Sequence, residues 1–405
     1  MKNVNYIYLD NAATTPMDPR VIDTITKHFK ETYGNASSIH SIGQISKKIL
    51  EESRKSIAPF INAEKEDIIF TSSGTEADNL AIKGVAYQNK SEGNHIITSA
   101  IEHHAVKNPC KELKDEGFDV SFLSVDKYGL IDLEQLKEEI TDKTILISIM
   151  FANNEIGTIE PIKEIGEIAK DHNIIFHTDA VQAFGKYPIN VQDINVNLMS
   201  VSSHKLYGPK GIGMLYLQNH GESDNGNIYI KPIMKGGNHE MGMRPSTEAV
   251  PLIAGFAKAV DLIKDEMPIE IERQTKLRDK IIKSILNNIN NSYLNGHPVK
   301  RLSNNINVGF PCIEGETIVI SLNMENIGVS TGSACSSHSL EPSHVLKAIG
   351  LTPNEANGSL RITLGRFTTN EEVNYFLEVL PKVIEEIRKM PPLDNWFCCG
   401  NRVQI

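Results

Sequence analysis

The chain has 405 residues, a formal net charge of -10 and 40% hydrophobic residues. This length exceeds what one small core supports, so we expect two domains in an ordinary globular protein. The negative charge disfavours a broad nucleic-acid-binding surface, and no direct nucleic-acid partner is expected. The longest strongly apolar run, residues 145–152, is too short to span a bilayer, so no membrane contact is expected.

The five cysteines and the first residues of the chain indicate in which cellular compartment the protein works. The opening residues lack the apolar core of a signal peptide, and an odd number of cysteines is unusual for a disulfide framework. We therefore expect a reducing, cytoplasmic environment and no disulfide framework. The absence of a CxxC pair or a His/Cys ligand spacing predicts no structural zinc site, and no metal is expected.

Strand-like and helix-like segments alternate between residues 68 and 217. The apolar runs predict strands at 68–71, 96–98, 120–123, 144–151, 174–177, 198–201 and 213–217. The periodic segments predict helices at 75–84, 132–140 and 162–172. Such alternation is typical of an α/β fold, with a mostly parallel sheet covered by helices on both faces.

The pattern changes after about residue 255. Two long helices are predicted at 254–263 and 268–288, strands at 305–309 and 317–321, and a final helix at 370–389. We expect a large domain over residues 15–255 and a smaller α/β domain formed by residues 1–14 and 256–390. The last residues, 391–405, form a separate tail.

Lys205 directly follows the predicted strand at 198–201 and precedes a turn rich in glycine and proline. Lysine changes its pKa readily when buried, which suits it to form imines with carbonyl compounds. After the first strand, Gly74 and Thr75 open a helix whose N-terminus suits a phosphate group. No GxxxxGK[ST] motif is present, so a nucleoside triphosphate is not indicated.

Further polar residues follow the other strands of the same predicted sheet edge, where ligands of open parallel sheets bind. They are His103, Asn154, Asp179, Gln182, Ser202 and His204. Pyridoxal 5'-phosphate needs an imine-forming lysine, a carboxylate facing its pyridine nitrogen and donors for its phosphate. The combination therefore predicts a site for this cofactor.

Several motifs together resemble the NifS/IscS-type cysteine desulfurases. They are YLDNAATT at 8–15, YGNASS at 33–38, SGTEADN at 73–79, NNEIG at 153–157, HTDAVQ at 177–182 and HKLYGPKG at 204–211. The resemblance is colinear from about residue 6 to 390. It implies a class V aminotransferase-like, fold type I enzyme that depends on pyridoxal phosphate and has a large and a small domain.

The resemblance also implies a role for each site residue. Lys205 would carry the cofactor as an imine, Asp179 would pair with the pyridinium nitrogen, and Gln182 would contact the phenolic oxygen. His103 would stack on the ring and assist proton transfer. Asn154 would lie near the cofactor and the substrate carboxylate, which Arg361 would bind through its forked donors. The phosphate would be held by Thr75, Ser202 and His204.

Cys335 lies in a segment of small and polar residues, 330–339, which favours an exposed thiol on a loop. The resemblance places it in the long-loop group, whose catalytic cysteine moves between substrate and an acceptor protein. L-cysteine would then be converted to L-alanine, with a persulfide formed on Cys335. The thiolate is the reactive form, and its proton could pass to His103, His338 or solvent.

The segment 236–247 resembles a family stretch that is usually richer in glycine. Ser246 stands where glycine is common, and a residue with a Cβ resists positive φ. In the family, the threonine at the position of Thr247 reaches the phosphate of the neighbouring subunit. The resemblance therefore implies a homodimer with shared active sites.

Alternative functions stay open at this point. A selenocysteine lyase or a cysteine sulfinate desulfinase would use the same fold, and a non-catalytic scaffold of a sulfur-transfer assembly belongs to another class. The sulfur acceptor could serve iron–sulfur clusters, thio-cofactors or tRNA thiolation. Cys398 and Cys399 lie in the tail, which is either a plain terminal extension or a sulfur-relay or metal-binding element.

Overall fold

The structure is a computed structural model that describes residues 6–218, 228–331 and 342–389. The helices are α1 (Pro19–Glu31), α2 (Ser41–Ile57), α3 (Gly74–Gln88), α4 (His104–Asp115), α5 (Leu133–Glu139), α6 (Ile162–Asp171), α7 (Val250–Asn288), α8 (Gly315–Met324), α9 (His344–Ala348), α10 (Pro353–Asn357) and α11 (Asn370–Lys389). The strands are β1 (Ile7–Tyr8), β2 (Ile68–Thr71), β3 (His95–Ser99), β4 (Asp119–Leu123), β5 (Thr144–Ser148), β6 (Ile175–Asp179), β7 (Leu198–Ser202), β8 (Gly213–Leu217), β9 (Tyr293–Leu294), β10 (Asn305–Gly309), β11 (Ile327–Gly328) and β12 (Ser359–Thr363).

The main sheet has seven strands in the order β2-β8-β7-β6-β5-β3-β4. Strand β8 is antiparallel to both of its neighbours, and the other pairs are parallel. The predicted α/β fold with a mostly parallel sheet is confirmed. Strands β5, β7 and β8 are buried along their whole length, because helices cover both faces of the sheet. Strands buried on both faces are typically continuous apolar runs.

Parallel strands bring the residues that follow them to one edge of the sheet. β2 leads into α3, and the Ser73 side chain caps that helix by accepting from the Glu76 N–H at 3.1 Å. β3 is followed by α4, which begins after His103. The last residue of β6 is Asp179, and β7 runs into a turn of 3-10 helix, Ser203–Lys205. The chain order therefore assembles the candidate residues at a single edge.

A smaller sheet, in the order β12-β10-β9, has its own hydrophobic core. That core includes Ile306, Leu360 and Phe376, together with Ile7 and Leu9 from the start of the chain. The pairing of β1 with β11 explains why the first residues lie here. These contacts are consistent with the predicted division into two domains, whose boundaries stay a prediction.

Two predicted elements were wrong. The helices expected at 254–263 and 268–288 are one helix, α7, which continues through Pro268. Proline usually interrupts a helix, but here the first half of α7 packs into the large core and the second half into the small one. The strand expected at 317–321 lies inside helix α8. Its buried positions, Ile318 and Leu322, are four residues apart, so packing overrides the β preference of this β-branched run.

The cysteines of the described ranges differ in state. Cys110 is buried and free, whereas Cys312 is disulfide-bonded. The odd cysteine count, which argued against a disulfide framework, did not predict this single bond. Within the same ranges, the helices are either too short or too polar to cross a membrane.

Candidate active site

Lys205 lies at the carboxyl edge of the main sheet, in the turn that follows β7. Its Nζ donates to the main-chain oxygens of Ala12 at 2.8 Å and Ala13 at 2.6 Å. The segment that carries these carbonyls is fixed to the same turn, because Thr15 Oγ1 donates to the His204 oxygen at 2.9 Å. The lysine is thus held between the sheet edge and the beginning of the chain.

Asp179 is buried at the end of β6, with 6% of its surface exposed. One carboxylate oxygen accepts from the Val181 N–H at 2.9 Å. Burial raises the pKa of Asp179 to about 6, and the positive charge of Lys205 opposes part of this increase. A buried carboxylate that lies beside a cationic lysine can pair with a protonated ring nitrogen.

Gln182 follows three residues later, in the turn after β6, and is also buried. Its Nε2 donates to the Ala12 oxygen at 3.0 Å, so Gln182 and Lys205 share an acceptor. Lys186 donates to the Gln182 main-chain oxygen at 3.3 Å and to its Oε1 at 3.4 Å. The structure therefore places Gln182 beside Lys205, as the sequence predicted.

The N-terminus of α3 lies directly against Ser202 and Val181. A Cβ added at Gly74 would be 2.7 Å from Val181 Cγ2 and 3.4 Å from the Ser202 Cβ. Glycine is therefore required for this close approach. Thr75 is exposed at the same helix end, where unpaired N–H groups favour an anion.

Two histidines near Lys205 are held neutral. Burial, and to a lesser extent the positive charge of Lys205, lowers the pKa of His103 to about 4. The pKa of His204 falls to about 4 for the same two reasons. His103 Nδ1 accepts from the Ala105 N–H at 3.1 Å. The proton of its neutral ring is therefore on Nε2, which can donate.

Arg361 lies on β12 and reaches the same edge from the small sheet. It is 2% exposed. Its Nη2 donates to Asp10 Oδ1 at 2.9 Å, and its Nη1 donates to the Asn154 main-chain oxygen at 3.2 Å. Its Nε is buried without a hydrogen-bond partner in the described part of the chain. A guanidinium with remaining donor capacity suits recognition of a carboxylate.

Thr247 is exposed, next to Ser246, which has a φ of 100°. The serine therefore adopts the positive φ that glycine would favour at this position. Two ion pairs fix the preceding residues: Arg244 with Glu76 at 2.8 Å and Glu240 with Arg54. Thr247 follows this anchored segment and is exposed among the residues that the structure describes.

The structure brings together most of the predicted residues. Electrostatic contacts connect Lys205 with Asp179, His103 and His204, and Asn154 adjoins Arg361. Cys335 and His338, as well as the tail residues Cys398 and Cys399, lie outside the described residues.

Sequence reasoning missed other residues at the site. Asp10 is the ion-pair partner of Arg361, and the Ala12 and Ala13 oxygens bind Lys205. These three lie in the YLDNAATT motif, which could have identified them. Lys186 lies in the turn region after β6, four residues beyond Gln182, and contacts it.

Comparisons with known proteins agree with this geometry. The family described as aminotransferase class V matches residues 7–376. Cysteine desulfurase IscS of Methanosarcina thermophila is 50% identical over 387 residues, covering 96% of this chain and 94% of that protein. Cysteine desulfurase IscS of Dictyoglomus turgidum is 50% identical over 386 residues, covering 95% of this chain and 96% of that protein.

Solved structures give the same result. A NifS-like protein superposes with a TM-score of 0.87 at 35% identity, covering 94% of this chain and 100% of that one. SspA in complex with cysteine has a TM-score of 0.77 at 37% identity, covering 90% of this chain and 100% of that one. With near-complete coverage and identities up to 50%, the chain belongs to the class V aminotransferase family, in the IscS/NifS cysteine desulfurase group.

Proposed function

We propose that this protein is a pyridoxal 5'-phosphate-dependent cysteine desulfurase that converts L-cysteine to L-alanine and transfers the sulfur through Cys335. The observation that carries the proposal is the meeting of Lys205, Asp179 and His103 at one sheet edge. The IscS names of the relatives support the same activity.

The residues present fit the cofactor. Lys205 would attach it, and Asp179 would face the pyridine nitrogen, where its negative charge keeps that nitrogen protonated. The phosphate would lie against the α3 N-terminus, where Gly74 leaves room, with donors from Thr75, Ser202 and His204. Gln182 would donate to the phenolic oxygen. When bound, the cofactor supplies an electron sink that lets a proton leave the substrate Cα.

Arg361 and Asn154 would position the substrate. The Arg361 guanidinium already donates to one carboxylate, that of Asp10, in a charge-assisted hydrogen bond of 2.9 Å. A substrate α-carboxylate would accept hydrogen bonds from the remaining N–H groups of the same guanidinium. This contact would direct the substrate Cα toward Lys205, which acts as the base.

His103 would stack on the cofactor ring and donate through Nε2, because its Nδ1 is already occupied by the Ala105 N–H. This arrangement favours His338 or solvent over His103 as the acceptor of the Cys335 proton. The Cys335 thiolate would attack the substrate sulfur. An S–S bond would form while the Cβ–S bond breaks, and protonation of the carbon would complete alanine.

The remaining proposals concern the assembly. A homodimer would let Thr247 reach the phosphate in the neighbouring subunit, which its exposed position allows. A large domain of residues 15–255 and a small domain of residues 1–14 and 256–390 would form the two sides of the site. The protein would work in the cytoplasm and pass sulfur to an acceptor protein for iron–sulfur cluster, thio-cofactor or tRNA biosynthesis.

The direct test is reconstitution with pyridoxal 5'-phosphate followed by quantification of alanine released from L-cysteine. Wild-type protein is expected to show the visible absorbance of the lysine-bound cofactor and to release alanine. Lys205→Ala should lose both. Alanine release from cysteine sulfinate or selenocysteine but not from L-cysteine would contradict the proposal in favour of the alternative enzymes.

A further inference from the structure

Lys186 is a half-buried lysine next to the site. Its Nζ donates to two uncharged oxygens of one residue, the main-chain oxygen and Oε1 of Gln182. Desolvation is the main cause that lowers the pKa of Lys186 to about 7, and the charge of Lys205 is the second. A desolvated ammonium destabilises a fold unless its hydrogen bonds compensate, so its position calls for an explanation.

The acidic side chains that share a small cavity with Lys186 are already paired. Glu266 contacts Arg20 at 3.0 Å and Arg366 at 2.9 Å, while Glu270 contacts Arg273 at 2.8 Å. These ion pairs neutralise both carboxylates. Within the described ranges, the hydrogen bonds of Lys186 Nζ therefore go to Gln182 rather than to these carboxylates.

A chain of hydrogen bonds connects the two lysines. Lys186 donates to Gln182 Oε1 at 3.4 Å, Gln182 Nε2 donates to the Ala12 oxygen at 3.0 Å, and Lys205 donates to that oxygen at 2.8 Å. An ammonium can only donate. It therefore holds the oxygen end of the Gln182 amide and leaves the NH₂ end on the side of Lys205.

We propose that Lys186 is a positioning residue of the cofactor site, which fixes the direction of the Gln182 amide and, when protonated, places a second positive charge near Lys205. The inference rests on the proposed function, in which Gln182 donates to the cofactor and Lys205 binds it. A like charge disfavours the protonated form of a neighbouring amine. Lys186 thus favours the neutral lysine that imine formation and proton abstraction require.

Other titratable groups near the two lysines also affect their charge. Asp179 is the negative group that offsets the positive charge of Lys205. His103 and His204 are neutral near pH 7, because their pKa values are about 4. The remaining titratable groups that share the cavity with Lys186 are Tyr207, Glu266, Glu270 and Arg366. Tyr207 is uncharged near neutral pH because burial raises its pKa to about 12.

The test uses three substitutions in the full-length, cofactor-loaded protein. Lys186→Arg keeps the charge, Lys186→Gln keeps a hydrogen-bond donor without charge, and Lys186→Met removes both. Lys170→Met is the matched control, because Lys170 contacts only the Asn195 amide at 3.2 Å on the surface within the described ranges. The readout is the pH midpoint at which the visible absorbance of the bound cofactor changes.

Loss of the charge is expected to raise this midpoint in Lys186→Gln and Lys186→Met by less than about one pH unit, because a lysine with a pKa of about 7 carries only part of a charge near neutral pH. Lys186→Arg should keep this midpoint or lower it, because arginine stays fully charged above pH 7, and Lys170→Met should keep the wild-type midpoint. Lys186→Met should also weaken cofactor binding more than Lys186→Gln, because only glutamine retains a donor for Gln182. If Lys186→Met fails to fold, Lys186→Gln alone decides the charge effect.

Wild-type midpoints in both uncharged variants would overturn the inference while leaving the proposed function intact. A wild-type protein that never develops the visible absorbance would refute the proposed function, and the inference with it.

Discussion

Arg361 and Asp10 form an ion pair of 2.9 Å that joins β12 to the segment after β1. The side chain of Arg361 is 3% exposed and that of Asp10 is 18% exposed. Asp10 therefore holds the guanidinium at the site before a substrate arrives. The Ala12 oxygen that accepts from Lys205 lies only two residues beyond Asp10. One short segment thus positions both the lysine proposed to bind the cofactor and the arginine proposed to bind the substrate carboxylate.

Replacing Arg361 by lysine should weaken substrate binding more than it slows the chemical step. Lysine keeps the charge but loses the forked geometry, so we expect KM for L-cysteine to rise by about 10- to 100-fold. Steady-state kinetics at saturating cofactor measure this. An unchanged KM would exclude Arg361 as the carboxylate contact.

His103 should act as a neutral donor across the physiological pH range. Its pKa is about 4, so His103 does not change its charge near pH 6.5. The pH profile of kcat/KM around pH 6.5 is therefore expected to be the same in wild type and His103→Gln. His103→Ala should lose about 100-fold or more in kcat, and His103→Gln should recover part of it through its amide donor. A pH–rate profile with a break that depends on His103 would contradict this assignment.

A buried carboxyl beneath the site should make stability depend on pH. Glu102 Oε1 accepts from Ser99 Oγ at 2.7 Å and from the Met150 N–H at 2.9 Å, and burial raises the pKa of Glu102 to about 8. Between its ordinary pKa and about 8, the folded state holds a proton that the unfolded state has lost. Stability contributed by this group is therefore lost as pH rises through that window, by up to about 1.4 kcal/mol per pH unit.

Glu102→Gln should remove this dependence, because an amide resembles the neutral carboxyl in shape. Urea unfolding of both proteins at about pH 6 and about pH 8 provides the comparison. The substitution should flatten the slope and favour the variant at the higher pH. Parallel slopes in the two proteins would show that Glu102 does not hold a proton.

The ion pair between Glu240 and Arg54 should be important for folding. Both side chains are buried, at 1% and 6% exposed. Glu240 also accepts from the Phe70 N–H at 2.7 Å, and Arg54 donates to the Ile68 oxygen. Glu240→Gln would leave the buried guanidinium with only the more exposed Glu51 carboxylate, 3.5 Å from its Nε, at a cost of up to about 3–5 kcal/mol.

A double-mutant cycle separates this effect from lost packing. Arg54→Met combined with Glu240→Gln should recover part of the lost stability, because no uncompensated charge remains. Strictly additive losses would show that the two groups do not interact.

The sequence predicted the main sheet well because strands buried on both faces appear as short apolar runs. It also predicted Lys205, Asp179 and Gln182, since polar residues after parallel strands converge at one edge. It failed at α8, where packing of Ile318 and Leu322 decides the structure against local preference. The Ala12 oxygen could not be predicted by residue type, because every residue offers a main-chain acceptor.

The most direct measurement of the central claim is the location of the transferred sulfur. The cofactor-loaded protein would be treated with L-cysteine, and peptide mass spectrometry would locate the added sulfur atom while released alanine is quantified. The account predicts added sulfur on Cys335, alanine formed with each sulfur transferred, and loss of both in Cys335→Ser. Added sulfur on another cysteine, or undiminished alanine formation by Cys335→Ser, would contradict it.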